Sequence, residues 1–305
     1  MRTQSKKRTQ WIVGGLALCL AIVCLSWFYG KLTDDFRLAN ITHPMPYQTD
    51  WEIATSTEQQ QHVNEILAQT FYYLGKGSQS YAFLSADGQY VLKFFKFKHL
   101  KNSFVSEQLA ALGLFTNYYA KQTARKQRKL WGVFRSYKLA YEVHRHDSGL
   151  VYMQLNAREN PSRHVTIIDK IGKTHALNLQ DYPFVLQLKA DTLSQKFKEF
   201  LAQGRLEPVQ EHISHVFDLY AEEYAKGIYD RDHAVMRNVG FVDGQIIHLD
   251  VGKLASKPEM KEKTYAKADA MLVANKMKHW IKQHDPAVNA QLSAYIDHKI
   301  STLYD

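Results

Sequence analysis

The sequence predicts an α+β protein in which a strand-rich half is followed by a helix-rich half, behind a single apolar N-terminal helix. Three observations predict it. Short apolar runs broken by glycine turns fill the region from about Phe71 to Leu188, and helical periodicity dominates from about Ala190 onward. An uncharged stretch from Trp11 to Tyr29 precedes both and is about long enough to cross a bilayer. With 305 residues, 45% of them apolar, the chain can bury a sizeable core, which excludes a mainly disordered protein.

Residues 1–10 form a basic tail containing Arg2, Lys6, Lys7 and Arg8, and residues 11–29 are read as a transmembrane signal-anchor. A cleavable signal peptide is the rival reading. No small-x-small site follows the apolar run, which ends Ser26-Trp27-Phe28-Tyr29, and that aromatic end suits a membrane interface. Neither Cys19 nor Cys24 is preceded by the small residue of a lipoprotein site. Only Lys31 and Arg37 follow the span closely, offset by Asp34 and Asp35, so the charge bias places the N-terminus in the cytoplasm and the main domain on the opposite side. Both cysteines lie inside the span, which excludes disulfides and a cysteine zinc site from everything after it. The net charge of +9 favours anionic partners such as nucleotides, anionic lipids or phosphorylated sugars. No recognised nucleic-acid-binding module accompanies it, so no nucleic-acid partner is expected.

Residues 30–57, with Pro44 and Pro46 and no clear period, read as a stalk. A polar amphipathic helix follows over about Thr57 to Thr70. Phe71 to Lys98 reads as three consecutive strands in an antiparallel meander, joined by a glycine turn and by Ala86-Asp87-Gly88. A helix is expected from Asn102 to about Lys129, with Phe104, Ala111 and Phe115 on one stripe. Further strands are expected at Gly149–Leu155, Val165–Ile171 and Tyr182–Leu188, and Asp191 or Thr192 caps the next helix. One strand-rich island, Val239 to Leu249, interrupts the helical half, which closes with helices over about Glu259 to Gln283 and Ala287 to Leu303. The halves divide at 58–189 and 190–305, and no internal repeat is present.

Five pieces, in order, carry candidate chemistry. In Gly75-Lys76-Gly77-Ser78-Gln79-Ser80, glycines between two strands let backbone N–H groups approach a polyphosphate, although an ordinary hairpin would look the same. A helix would follow the glycines of a dinucleotide-binding loop, whereas Tyr81-Ala82-Phe83-Leu84 reads as strand. Lys93 falls on the apolar face of its strand with Val91, Phe95 and Phe97, where an ammonium needs either a partner or a path to solvent. Glu107 interrupts the apolar stripe of the expected helix between Phe104 and Ala111, the placement needed to reach back to Lys93. Asn238 lies on a loop and Asp250 at a strand end before Val251-Gly252, a set of oxygen donors that suits Mg²⁺; capping residues on a surface loop are the plainer alternative.

Together these pieces resemble the protein-kinase-like superfamily over about residues 70–256. The resemblance implies a two-lobed fold, with an antiparallel-sheet lobe and a helical lobe, that uses ATP and Mg²⁺. It implies that Gly75, Lys76, Gly77 and Ser78 cover the nucleotide phosphates, that Lys93 and Glu107 form the strand-lysine and helix-glutamate pair, and that Asn238 and Asp250 hold the metal. Asp232, after Arg231, would be the catalytic base. The string Asp230-Arg231-x-His233 also resembles the loops of lipid and secretory-pathway kinases, which leaves Asp230 as a second candidate. Asp232 and Asn238 stand six apart where that family has five, Ala234 replaces a phosphate-contacting lysine, and no Ala-Pro-Glu element follows Asp250. The missing peptide-docking element points to a small-molecule, lipid or glycoconjugate acceptor. A catalytically impaired pseudokinase acting as a nucleotide-binding or scaffolding module is the alternative. The run 121–138, with Lys121, Arg125, Lys126, Arg128, Lys129, Arg135 and Lys138 and no acidic residue, reads as a site for a phosphorylated headgroup or an anionic membrane, or as a solvated helix face.

Overall fold

The strand that carries Lys93 is apolar on both faces, since Val91, Leu92, Phe94 and Phe95 are all buried in β3 (Tyr90–Phe95), so a layer must cover each side of its sheet. That is the arrangement in the computed structural model, which describes residues 2–42, 45–98, 100, 108, 112, 113, 115–156 and 163–305. β1 (Thr70–Lys76), β2 (Ser80–Ser85) and β3 form the expected antiparallel meander. With β4 (Leu150–Gln154), β5 (His164–Ile168), β6 (Thr174–Asn178) and β7 (Phe184–Leu188) they make a seven-stranded sheet in the order β4-β7-β3-β2-β1-β5-β6. β6 had no clear signal in the sequence because it is a half-exposed edge strand of mixed composition, Thr-His-Ala-Leu-Asn.

On one side of the sheet, Leu92 and Phe94 pack with Phe36, Ile41, Val63, Ile66 and Phe83. On the other, Phe95 and Phe97 pack with Trp51, Phe134, Tyr137, Val185 and Val251. The segment expected as a stalk therefore supplies core residues, with Phe36, Ile41, Trp51 and Ile53 buried among the described part of 30–57. Three ion pairs fasten its start to the sheet: Asp34 to Lys76 at 3.2 Å and to Lys170 at 3.0 Å, and Asp35 to Lys98 at 3.0 Å.

The N-terminal helix α1 (Arg2–Leu32) contains a stretch, Trp11–Leu32, with mean hydropathy 2.3, long and apolar enough to cross a membrane. α2 (Thr57–Leu67) starts at Ser56, whose hydroxyl accepts from the Gln59 N–H. Of the helix expected from Asn102 to about Lys129, the described residues show α3 (Thr116–Val143), which runs on past Lys129. Its buried stripe is Phe134, Tyr137, Ala140 and Tyr141, whereas Phe115 precedes it in the left-handed region and is exposed. Phe104, Glu107 and Ala111 lie outside the described residues.

The helical half opens at a capping box between Thr192 and Gln195 at the start of α4 (Leu193–Ala202). α5 (Leu206–Ala225), α6 (Lys263–His284) and α7 (Asn289–Tyr304) then pack around Phe217, Tyr220, Val273, Met277 and Ile296. Strand β8 (Asp191–Thr192) bonds to β10 (Val239–Val242), which forms a hairpin with β11 (Gln245–His248). β9 (Ile228–Asp230) pairs with β12 (Leu254–Ser256), so the chain between 230 and 254 leaves and returns at adjacent points.

Phe36 is 3% exposed inside the first cluster, so Phe36→Ala should remove about 3–5 kcal/mol of stability in denaturant unfolding of the detergent-solubilised chain. Leu272→Ala, at a position 51% exposed on α6, should change it by less than about 0.5 kcal/mol.

Candidate active site

The β10–β11 hairpin brings two sequence-distant side chains together. Its register pairs Val239 with His248, so Asn238 before it and Leu249 and Asp250 after it emerge side by side. The Asn238 carbonyl accepts the Leu249 N–H at 2.6 Å and the Asp250 N–H at 3.3 Å, which closes the hairpin one residue beyond its strands. Asp250 is exposed and its Oδ1 accepts the Gly252 N–H at 3.2 Å. Asn238 donates through Nδ2 to Asp230 Oδ2 at 3.3 Å, which leaves its Oδ1 as the atom open to a cation. A carboxylate and an amide oxygen are hard donors of the kind Mg²⁺ takes, and they suit it better than a soft metal.

Lys93 reaches this point from β3. Its Nζ donates to the Leu249 carbonyl at 3.2 Å and to Gln187 Oε1, and Gln187 Nε2 donates to the same carbonyl at 3.1 Å and to Ser148 at 2.6 Å. Burial pulls the Lys93 pKa below its ordinary value, and the Asp250 charge opposes that pull. Among the described residues no carboxylate is paired with Lys93, and its expected partner Glu107 lies outside them.

The glycine hairpin closes over the same place. The Gly77 N–H bonds to the Ser80 carbonyl at 2.9 Å, and a bulge between Tyr73 and Gly75 bends β1 there. A Cβ on Gly252 would stand 2.6 Å from Gln79 Oε1, so the hairpin tip approaches the Asp250 turn closely, and a larger residue there would displace the Gln79 side chain. Gln79 Oε1 is buried without a hydrogen-bond partner among the described residues. Lys76 takes a different direction, toward Asp34. The structure thus gathers Lys93, Asn238, Asp250 and the tip of the hairpin.

The two candidate bases have different surroundings. Asp230 is fully buried and accepts from the Asp232 N–H at 2.9 Å and from Asn238, and it faces His248 Nε2 at 3.5 Å. Burial acts to raise its pKa, but the bonds from His248, the Asp232 amide and Asn238 outweigh that and hold it below the ordinary value. The Asp232 side chain is 31% exposed and pairs with Lys253 at 3.1 Å. The loop turns at His233, in the left-handed region with φ 52°, and His233 Nε2 bonds to Asp269 of α6 at 2.8 Å.

Behind Asp230 lies a buried network that the sequence did not disclose. Glu223 Oε1 stands 2.6 Å from His248 Nδ1 and 2.9 Å from His144 Nε2. His144 Nδ1 lies 3.1 Å from Asp147, which Lys226 also engages at 2.6 Å. Burial presses the His248 pKa down, yet the Glu223 and Asp230 charges raise it well above the ordinary value, so the two carboxylates favour the charged form of the ring. His144, Glu223 and His248 also have the composition of a metal site. Ligand atoms around tetrahedral Zn²⁺ stand about 3.3 Å apart, given bonds of about 2.0–2.1 Å, so the 2.6 Å separation of Glu223 and His248 fits a hydrogen bond instead, while His144 Nε2 has no hydrogen-bond partner among the described residues.

Some of these residues had a local signal. Gln187 is a polar residue inside the apolar run Phe184-Val185-Leu186-Gln187-Leu188, and Glu223 falls three residues after Tyr220 on the buried stripe of α5. His144 had none, since only the tertiary fold brings the end of α3 to α5.

No protein-family model matches the chain, and no curated protein matches it. Among solved structures it is similar to a medium-resolution structure of the bifunctional kinase-methyltransferase WbdD, with 14% identity over 73% of this chain and 43% of that one and a TM-score of 0.37. It is also similar to WbdD co-crystallised with a kinase inhibitor, with 12% identity over 74% of this chain and 44% of that one and a TM-score of 0.35. The chain spans less than half the length of these structures.

His248→Gln should cost about 3–5 kcal/mol near neutral pH, because it strands two buried carboxylates. Glu223 and Asp230 are held below their ordinary values of 4.5 and 3.8, so the stability they supply is present above those values and is lost as pH falls through the native ones. The stability that His248 itself supplies is fully present below its ordinary value of 6.5 and is lost as pH rises through the raised native value, so the deficit against wild type should shrink as pH rises through that native value in denaturant titrations.

Proposed function

We propose that the chain is an ATP- and Mg²⁺-dependent phosphotransferase of the kinase-like, two-lobed kind, with a sheet lobe that takes in the packed part of 30–57 as well as 58–189, and a helical lobe over 190–305. The convergence of Lys93, Asn238 and Asp250 beneath the tip of the glycine hairpin carries this reading. Lys93 holds a positive charge against the nucleotide phosphates, and backbone N–H groups of 75–78 approach them from above. Asn238 and Asp250 are the residues that would hold Mg²⁺, which when bound neutralises charge on the phosphates. Asp232 orients the acceptor hydroxyl and receives its proton as the new oxygen–phosphorus bond forms and the bond to the ADP oxygen breaks. Asp230 serves this loop from within: its carboxylate is enclosed by the Asp232 amide, Asn238 and His248, so it positions Asp232 and does not meet the acceptor.

The acceptor in this reading is a small molecule, lipid or glycoconjugate. Residues 11–32 act as a retained anchor with the N-terminus in the cytoplasm and the catalytic domain on the other side of the membrane. A second reading, a nucleotide-binding or scaffolding module without turnover, draws on one observation: Lys253 engages Asp232, and no described carboxylate engages Lys93.

Thermal stabilisation of the full chain by nucleotide, with and without Mg²⁺, tests the site. Wild type should be stabilised by Mg²⁺-ATP, and Lys93→Met and Asp250→Asn should each abolish that shift. Asp232→Asn should keep nucleotide binding and lower turnover about 10²–10⁴-fold. Mg²⁺-ATP binding with no hydrolysis or transfer in wild type would favour the second reading, and absence of nucleotide binding would exclude both.

A further inference from the structure

Beside the candidate site is a second concavity whose chemistry the phosphotransfer machinery does not use. It measures about 970 Å³ and lies between the glycine hairpin, α3 and the loops that carry Asp232 and Asp250. Eight basic side chains and no acidic one line it among the described residues. Arg125, Arg128, Lys129 and Arg135 reach it from α3, and Arg231 and Lys253 from the two loops. None of those four α3 cations is paired with a carboxylate among the described residues.

Elsewhere in the molecule the exposed lysines near acidic groups do form pairs, including Lys189 with Asp191, Lys278 with Asp297 and Lys299 with Asp218. The cavity thus concentrates positive charge, of which Lys253 is balanced by Asp232 while Arg125, Arg128, Lys129 and Arg135 have no carboxylate partner among the described residues. Clustered guanidinium groups on a concave wall suit phosphate, whose oxygens take two parallel N–H bonds from one arginine.

Lys96 is 7% exposed on the cavity wall, and its ammonium is held there by the Gly77 carbonyl of the hairpin and by the Tyr81 ring. Arg231 and Lys253 flank Asp232, so an anionic compound held by the α3 cations would extend toward the proposed base.

We propose that this cavity binds the acceptor through a phosphate ester that the acceptor already carries. The assignment rests on the phosphotransfer reading for the identity of the ligand as acceptor, and on the cavity alone for its chemistry. A lipid headgroup and a free sugar or polyol phosphate share that chemistry. The fold favours the lipid: Asp34 and Asp35, which follow directly after the span ending at Leu32, pair with Lys76 of the glycine hairpin and with Lys98 beyond β3. These pairs hold the cavity's hairpin wall within a few residues of the membrane exit. A phosphorylated headgroup in that leaflet needs no diffusion into the aqueous phase to reach the cavity.

The test titrates the full chain in neutral detergent with glycerol 3-phosphate in one arm and with phosphatidic acid mixed into the micelles in the other, reading thermal stabilisation in the absence of nucleotide. At least one arm should saturate, with phosphatidic acid expected to be the tighter. Arg125→Glu/Lys129→Glu should weaken that binding by at least about tenfold, a factor that corresponds to losing one charge-assisted contact. Lys276→Glu/Lys282→Glu, an equal charge change on the exposed face of α6, should leave it unchanged. Saturation by glycerol 3-phosphate alone would support the cavity and assign a soluble phosphate.

Mg²⁺-ATP binding, followed in parallel, should survive Arg125→Glu/Lys129→Glu and be lost in Lys93→Met. Ester binding that persists where ATP binding fails in wild type would uphold the cavity and remove the phosphotransfer reading. No saturation in either arm, or equal weakening by the two charge-reversed pairs, would overturn the proposal while leaving the nucleotide site standing.

Discussion

The carbonyl of Asn238 is the fixed point of the site, because it takes the backbone N–H groups of both Leu249 and Asp250. With that clasp closed, the Asn238 amide and the Asp250 carboxylate emerge together, and the Leu249 carbonyl faces the sheet, where Lys93 and Gln187 bond to it. One hairpin register therefore sets the relation between the ammonium and the two oxygen donors. A slip of one residue would turn the hairpin side chains to the opposite face and separate the donors. Apolar packing opposes the slip, since Val239, Phe241 and Ile247 are buried.

Charge is the second constraint. The interior behind the loop holds Glu223, His248, Asp230 and His144, groups whose desolvation is costly one at a time. They are tolerated as a set in which imidazole rings alternate with carboxylates and each carboxylate accepts at least one hydrogen bond. The set also joins three regions of the chain, the end of α3 through His144, α5 through Glu223, and the strand before Asp250 through His248. Rigidity is what this arrangement contributes at the site, since Asp230 is held still and in turn holds Asp232 and Asn238.

Legibility in the sequence followed distance along the chain. The meander, its glycine turn, the apolar-face lysine and the strand-rich island from Val239 to Leu249 were readable because each rests on neighbours within a few residues, through strand alternation and glycine permissiveness, whereas the hairpin register of that island was not. The bond from Lys93 to Gln187 and the contact of Glu223 with His144 were not readable, because the first spans 94 residues and the second depends on helix placement. Residues 30–57 misled because prolines and the lack of a period resemble a linker, while Phe36, Ile41, Trp51 and Ile53 are spaced for a surface that only the folded sheet supplies. The basic run was visible as charge, but its concavity was not, because a helix face lines a cavity only when other elements stand opposite it.

Hydrogen exchange of the full chain with and without Mg²⁺-ATP addresses the account most directly, since its centre is one cleft where three separated segments meet. Slowed exchange in residues 75–80, in β3 and in 249–252 together, with the outer face of α6 unchanged, is the expected result. Exchange that stays the same in those three segments at saturating nucleotide, or protection in only one of them, would contradict it.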